Sequence, residues 1–528
     1  MIDKNPQNET HSLSVFTGST LADRSKAILL TCYMTGAEKG ANLGRPGYSY
    51  DFVAQTFWPL LEKWGRVIPV PCPKVNLDKE AEKAIKAGLQ PIHVSFLPFQ
   101  DLVFSKLVPN IAVPAWEFPD IPDFQIAFNP QNDWKATGNN CDSVIVGGGF
   151  TQRTFEAGGI RAPIHIVPVP TPREYFEVAD IQLNQESPEF DFDLYDPDQS
   201  LGAWKTPRKI RPWWKTVGAK GEDAVRWMGS KALGEKRWRQ LKGPYQRKFN
   251  EALIEHERSK STPSKFWLPF KTTQKLPENS IVYTSIFNPV DGRKNWVDLL
   301  TAFQYALGEC DDAVLVVKLI TSRAQSAMDV IDYYLKRDIP RLCKVYFVSE
   351  FLSHEQMVAL TEASTYYLQT TKAEGNCLPL MNFLAAGRPG VTPCHTAIAD
   401  YFDETMGFPV ESHPEPAAWP HDPQLRLRTS WQRLVWPSLV DQLRRSYEIA
   451  KYDRSEYEVM SSRCRQKMQS WAHGSVVQEN LNAALDETFI RSKRASIPRD
   501  LVNEGLVSPA LKVVTPNHDQ DVSSKKVA

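Results

Sequence analysis

The apolar and polar positions alternate in the same rhythm twice along the chain, and residues 178–275 between the two regions follow it poorly. In the first region, Ala27-Ile28-Leu29-Leu30-Thr31 is a continuous apolar run of buried-strand length. A loop with Gly36, Gly40, Gly44 and Gly47 follows it, then an amphipathic segment carrying Phe52, Phe57, Leu60 and Leu61. Strand, glycine-rich turn and helix in that order open a doubly wound sheet. Further strand-like runs are Val67–Val70, Ile92–Phe96, Ile111–Ala115, Ser143–Val146 and Ile164–Val169. Helical or loop stretches separate them, which predicts a mostly parallel sheet with helices on both faces.

The rhythm resumes near Ser280. Strands are predicted at Ile281–Ile286, Ala313–Leu319, Val345–Val348, Thr365–Gln369 and Gly390–Thr392. Helices are predicted at Trp296–Leu307, Gln325–Arg337, His354–Glu362 and Pro379–Ala386, with closing helices in Trp431–Ala450 and Tyr457–Phe489. Between the two regions lies first an acidic, loop-like piece, Glu186 to Asp198. After it, Ala203–Asn250 sets 14 Lys and Arg against Glu222, Asp223 and Glu235, with Trp204, Trp213, Trp214, Trp227 and Trp238 threaded through. The predicted layout is a polar tail over 1–24, an N-terminal domain over 25–177 and a basic, Trp-rich connector over 178–275. A C-terminal domain over 276–455, closing helices over 456–490 packing back on the N-terminal domain, and a disordered tail over 491–528 complete it.

Composition narrows the classes. Of 528 residues, 42% are hydrophobic and 23% charged, as in globular chains. Lys plus Arg and Asp plus Glu both number 62, so the basic excess of a general nucleic-acid binder is missing. The eight cysteines form no C-x-x-C pair and read as reduced thiols of a cytoplasmic protein. Met1 to Thr20 lacks the apolar core of a signal peptide, and no run of 18 apolar residues is present.

Three stretches can carry chemistry. Asn288-Pro289-Val290-Asp291-Gly292-Arg293-Lys294-Asn295 lies between a predicted strand and helix. Arg293 and Lys294 then stand where open α/β sheets bind ligands and where helix N-termini favour anions. Two cations there suit a diphosphate; an exposed basic turn has the same spacing. Thr371 to Gly387 again follows a strand. Gly375 permits close backbone approach, Pro379 suits a first helical turn, and Glu374 is set to accept hydrogen bonds from sugar hydroxyls; a solvated loop carboxylate is the alternative. Val113 to Pro122 is a rigid loop in which Trp116 and Glu117 either line a cleft or form a packed aromatic beside a surface carboxylate.

Together these stretches, in this order over most of residues 27–490, resemble the family 4 retaining glycosyltransferases of the GT-B fold, in a branch with a Trp-Glu loop and an Arg-Lys-Asn turn. The resemblance implies two Rossmann-like domains facing across a cleft. It implies that Arg293 and Lys294 neutralise a donor diphosphate and that Glu374, the first carboxylate of a Glu-x7-Glu pattern, contacts the donor sugar. Gly375, Asn376, Cys377 and Leu378 would offer backbone N–H groups, Gly36 and Gly40 match the loop after the first strand, and Ser285 and Lys318 line the donor side. The second Glu of the pattern is Asn382 here, which can still hydrogen-bond ribose but lacks charge. Many relatives carry a His where this chain has Trp116-Glu117. His93 and His395 are the histidines nearest in the pattern to the cleft, each equally able to be a core residue.

The expected activity is transfer of a sugar from a nucleotide-sugar to a glycan or lipid-linked acceptor, without a cofactor or a bound metal. Asp191-x-Asp193 is the obvious Asp-x-Asp match, and it sits in the connector. The alternative is a degenerate protein of the same fold that only binds or scaffolds. Residues 203–250 could touch an anionic membrane from the cytoplasmic side, since Lys and Arg attract its headgroups and Trp favours the interface.

Overall fold

The computed structural model describes residues 25–33, 46–124, 129–181, 189–197, 271–321, 324–335, 341–419, 422 and 426–495. The predicted tail over 1–24, Gly36, Gly40 and the basic stretch 203–250 lie outside them.

Six strands form the first sheet: β1 (Lys26–Thr31), β2 (Arg66–Pro69), β3 (Gln90–Ser95), β4 (Asn110–Ala112), β5 (Ser143–Val146) and β6 (Ile164–Ile166). They pair in the order β2-β1-β3-β4-β5-β6, all parallel. Helices α1 (Pro46–Trp64), α2 (Pro73–Lys86), α3 (Trp134–Asn139), α4 (Gly149–Ala157) and α5 (Arg173–Phe176) accompany this region.

The second sheet holds β7 (Glu189–Asp196), β8 (Lys271–Lys275), β9 (Ile281–Phe287), β10 (Ala313–Leu319), β11 (Lys344–Val348), β12 (Tyr366–Leu368), β13 (Gly390–Pro393) and β14 (Gly407–Val410). Its order is β14-β13-β12-β9-β10-β11-β7-β8. Helices α6 (Trp296–Leu307), α7 (Ala324–Leu335), α8 (His354–Glu362) and α9 (Leu378–Ala385) connect its parallel strands. A hairpin of β15 (Ser412–Ala417) and β16 (Thr429–Leu434) precedes α10 (Trp436–Tyr452), α11 (Arg454–Trp471) and α12 (Gly474–Ala495).

Local sequence accounts for these elements. Every residue of β9 and β10 is buried, as central parallel strands require, so both read as mostly apolar runs, broken only by Thr284, Ser285 and Lys318. A capping box starts α8: Gln356 N donates to Ser353 Oγ at 3.2 Å, and Ser353 N to Gln356 Oε1 at 2.7 Å. Val477, Leu481 and Leu485 recur at four-residue spacing on α12, which therefore buries one face among Ile28, Phe57 and Trp64 of the first domain.

Three expectations are corrected. The acidic piece Glu186 to Asp198 is a strand over Glu189–Asp196, antiparallel to β11. Glu189, Asp191 and Asp193 alternate with buried Phe190, Phe192 and Leu194, a period of two that composition conceals. Thr429–Leu434, read partly as helix, is a strand paired with β15, and the helix starts at Trp436. Arg491, taken as the start of a tail, lies in α12, which runs to Ala495.

In the second sheet the connections run outward from β9 to β10 and β11 on one side, and through β12 to β13 and β14 on the other. The crevice outside the carboxyl ends of β9 and β12 is thus a topological switch point, where open α/β sheets bind ligands.

Candidate active site

Two turns meet at that switch point. After β9, Asp291 accepts from Arg293 N through Oδ1 at 3.1 Å and from the Arg293 guanidinium through Oδ2 at 2.8 Å, which winds Gly292–Lys294 into a single 3-10 turn. Asn295 then adopts a left-handed conformation, φ 48°, immediately before α6. After β12, Thr370 Oγ1 lies 3.1 Å from the Lys294 carbonyl and 3.0 Å from that of Asn295, and Lys372 N donates to the Arg293 carbonyl at 2.7 Å. The Arg-Lys turn and the Glu374 turn are therefore bonded into one unit.

A third turn, after β13, joins them. Glu374 N donates to Thr396 Oγ1 at 3.1 Å, and Ala397 N to the Glu374 carbonyl at 3.2 Å. Cys377 and Thr396 are both left-handed, at φ 59° and 49°. A β-branched residue in that region is a true outlier, and such strain costs on the order of 1–3 kcal/mol per residue. All three turns at the carboxyl ends of β9, β12 and β13 thus hold a left-handed non-glycine residue.

The side chains form an ion cluster. Lys294 Nζ bonds Glu374 Oε1, and Gln369 Nε2 donates to the same oxygen at 3.3 Å. The Arg293 guanidinium also donates to the Ala373 carbonyl at 2.9 Å, and its Nε lies 3.4 Å from Glu117 Oε1. Carboxylates of Glu117, Asp291 and Glu374 outnumber the cations Arg293 and Lys294, so the sum of formal charges is minus one. Burial pushes the Glu117 carboxyl above its usual range, against the opposing pull of Arg293. Burial alone would favour neutral Arg293, but Glu117, Asp291 and Glu374 outweigh it and hold the guanidinium charged. The sequence predicts two cations awaiting an anion; in the structure each already has a carboxylate partner.

Glu117 brings in the first domain. Its loop leaves β4 and lies against Gly375, where an added Cβ would fall 3.0 Å from the Trp116 carbonyl oxygen. A Cβ on Gly147, in the turn after β5, would collide with Asn376 Oδ1. Asp400 Oδ2 accepts from Phe150 N at 2.9 Å, capping α4 from across the cleft. Leu378 packs against the first-domain core as well as its own.

The other expected residues divide. The Trp116 ring is buried among Phe118, Trp134 and Trp419, so it is a core residue and not a cleft wall. His93 is a core histidine: its ring nitrogens meet Thr31 Oγ1 at 2.9 Å and Asn110 Oδ1 at 3.0 Å, and burial pushes its pKa down to about 4. His395 stands beside the cluster, its Nε2 3.2 Å from the Thr371 carbonyl, and burial likewise takes it to about 4, leaving it neutral. Ser285 is buried within β9, on the face of Tyr283 and Phe287, inside the sheet and not in the turn. Lys318 is the penultimate residue of β10, where burial lowers its pKa to about 8 and Nζ donates to the Leu319 carbonyl at 2.9 Å. Asn382 is bonded through its side chain to the Tyr175 hydroxyl. Asp191 is bonded to Gln356 Nε2 at 3.0 Å on the far strand β7. No group of three or more His, Cys, Asp or Glu among the described residues could hold a metal ion.

Sequence reasoning missed Asp291, Gln369, Thr396 and Asp400. Asp291 and Gln369 were visible as an Asx residue before a turn and a polar strand end. Thr396 and Asp400 carry no local signal, because their partners are distant in sequence.

No protein-family model matches the chain, and no curated protein matches it. Solved structures do. Sucrose-phosphate synthase from Thermosynechococcus elongatus aligns with a TM-score of 0.50 at 12% identity, over 89% of this chain and 100% of that one. A glycosyltransferase from Rickettsia africae gives 0.46 at 10% identity over 88% and 98%. Anabaena Alr3699/HepE, in complex with UDP and glucose, gives 0.43 at 11% identity over 88% and 100%. At these identities the likeness is one of fold. The chain has the GT-B fold, two Rossmann-like domains facing across a cleft. No helix among the described residues is long and apolar enough to cross a membrane.

Proposed function

We propose that this chain is a glycosyltransferase that moves a sugar from a nucleotide-sugar donor to a glycan or lipid-linked acceptor. The observation that carries the reading is the convergence of Arg293, Lys294 and Glu374 at the carboxyl ends of β9 and β12. In this reading the donor diphosphate takes over Arg293 and Lys294 from their carboxylate partners. Positive charge fixed at the leaving diphosphate stabilises the transition state electrostatically, without reorganisation at the moment of reaction. Glu374, freed from Lys294, accepts hydrogen bonds from the donor sugar. Glu117 faces the same point from the acceptor side. Metal-independent transfer with retention of configuration belongs to the reading through the family resemblance.

The excess of carboxylates over cations favours a second reading, a binding or scaffold protein in which the ion cluster is purely structural. A donor screen separates the two. A panel of nucleotide-sugars is tested by calorimetry and for release of nucleoside diphosphate. Release from one donor supports the enzyme; neither binding nor release from any donor supports the scaffold. Peripheral contact of residues 203–250 with an anionic membrane is part of the proposal, and flotation of the chain with and without them on anionic vesicles tests it.

A further inference from the structure

The β15–β16 hairpin crosses from one domain to the other. Its root belongs to the second domain: Val435 N donates to the Glu411 carbonyl at 2.8 Å, and Leu434 is buried with Leu439 and Leu443. Its middle is fastened to the Glu374 turn. Gln432 N donates to the Lys372 carbonyl at 2.8 Å. Lys372 Nζ and Trp431 Nε1 both donate to Glu415 Oε1, at 2.8 and 2.7 Å, and the ammonium lies 4.6 Å from the Trp431 ring centre. Its far end is in the other domain. Trp419 and Leu427 are buried in the first-domain core with Phe99, Trp116 and Trp134. The Trp419 ring centre is 5.5 Å from that of Trp116 and 6.0 Å from that of Trp134.

These contacts close a loop through the molecule. The Trp116-Glu117 segment is gripped on one side by Arg293 and Gly375. On the other side it is gripped by Trp419, which the hairpin returns to the same second domain. An aromatic contact of this kind stabilises beyond the area it buries. Burying the indole adds a hydrophobic term, so truncation to Ala is costly. We propose that the hairpin is an interdomain arm and that Trp419 is a positioning residue. Through Trp116 it fixes Glu117 in register with Arg293, and it makes this corner of the cleft the one that does not open. The proposal goes beyond the proposed chemistry and does not depend on a donor being found.

Hydrogen exchange on the full chain tests it without any ligand. Trp419→Ala should speed exchange roughly tenfold at 116–120, and equally at 375–378 in the opposite domain, through local opening. Trp419→Phe, which keeps a ring against Trp116, should restore most of the protection. Protection in β9 and β10 should stay unchanged. A rise confined to 97–102 and 130–139, with 375–378 unmoved, would make Trp419 a packing residue of its own core and overturn the proposal. So would unchanged exchange at 116–120. Should Trp419→Ala fail to fold, Trp419→Leu gives the same comparison with an apolar group retained.

Discussion

Glu117 Oε1 stands 3.4 Å from Arg293 Nε, a carboxylate from the first domain on a guanidinium from the second. The pair occupies the position where the proposed donor diphosphate is held. A bound diphosphate and Glu117 therefore compete for one cation. Replacing Glu117 with Gln should tighten binding of the accepted nucleotide-sugar about tenfold, equivalent to roughly 1.4 kcal/mol. The pH dependence follows from the same competition. Burial holds the Glu117 carboxyl above its ordinary range, while Asp291 and Glu374 add to that effect and Arg293 and Lys294 oppose it. Protonation loosens its hold on Arg293, so donor affinity should rise as pH falls through that raised range. The Gln variant should lose this contribution. Calorimetry at several pH values checks both; weaker binding by Glu117→Gln would show that Glu117 assists the donor instead of competing with it.

Lys294 bonds Glu374, and both side chains are largely buried. If Lys294 neutralises the leaving group, Lys294→Ala should lower turnover by about 10²–10³. It also strands a buried carboxylate, at a cost of several kcal/mol for a fully buried pair and about 1–3 kcal/mol for one with some water access. Adding Glu374→Gln should recover much of that stability without recovering turnover. Thermal unfolding and released nucleoside diphosphate, measured on the same two variants, separate the effects. Near-normal turnover in Lys294→Ala removes the residue from the mechanism.

The sequence announced the turns better than it announced their partners. β10 and α6 match their predicted bounds because local periodicity alone defines them. Arg293, Lys294 and Glu374 stand out in the sequence because each follows an apolar strand, and a strand end in a doubly wound sheet is a ligand position. What periodicity could not convey is pairing across long sequence separations. Nothing local says that Glu117 meets Arg293, that Asp400 caps α4, or that Trp419 lies on Trp116. For Trp116 and His93 the sequence leaves cleft and core both open, for a related reason. A polar or amphipathic residue near a strand end is equally consistent with a cleft and a core until its partners are known, and those partners are Asp120, Thr31 and Asn110.

His93 gives a stability prediction with a definite sign. Its pKa is near 4 when folded, against an ordinary value of about 6.5, so between these values the unfolded chain binds more protons. The stability that neutral His93 contributes is present above about pH 6.5 and is lost as pH falls toward 4, by at most roughly 3 kcal/mol. His395 acts in the same direction. His93→Gln should be less stable at pH 7.5 yet lose less on acidification. Denaturant unfolding at pH values between these limits checks it, and an equal acid loss in both proteins would remove His93 as its source.

Gly375 tests whether the Trp-Glu loop and the ion cluster move together. An added Cβ would sit 3.0 Å from the Trp116 carbonyl oxygen and 3.3 Å from its carbonyl carbon and nitrogen. These are backbone atoms, so no rotamer change relieves the contact, and the loop must retreat by a few tenths of an ångström. Overpacking of this kind costs about 1–3 kcal/mol. Retreat of Trp116 carries Glu117 with it and lengthens the Glu117–Arg293 separation. Gly375→Ala should therefore cost more stability in the native background than in a Glu117→Gln background, where that ion pair is already gone. The difference should be about 0.5–1 kcal/mol, within the range that contacting residues show in double-mutant cycles. Denaturant midpoints of the four proteins give it directly. Equal costs in both backgrounds would mean that the loop yields at Gly375 while Glu117 keeps its place on Arg293.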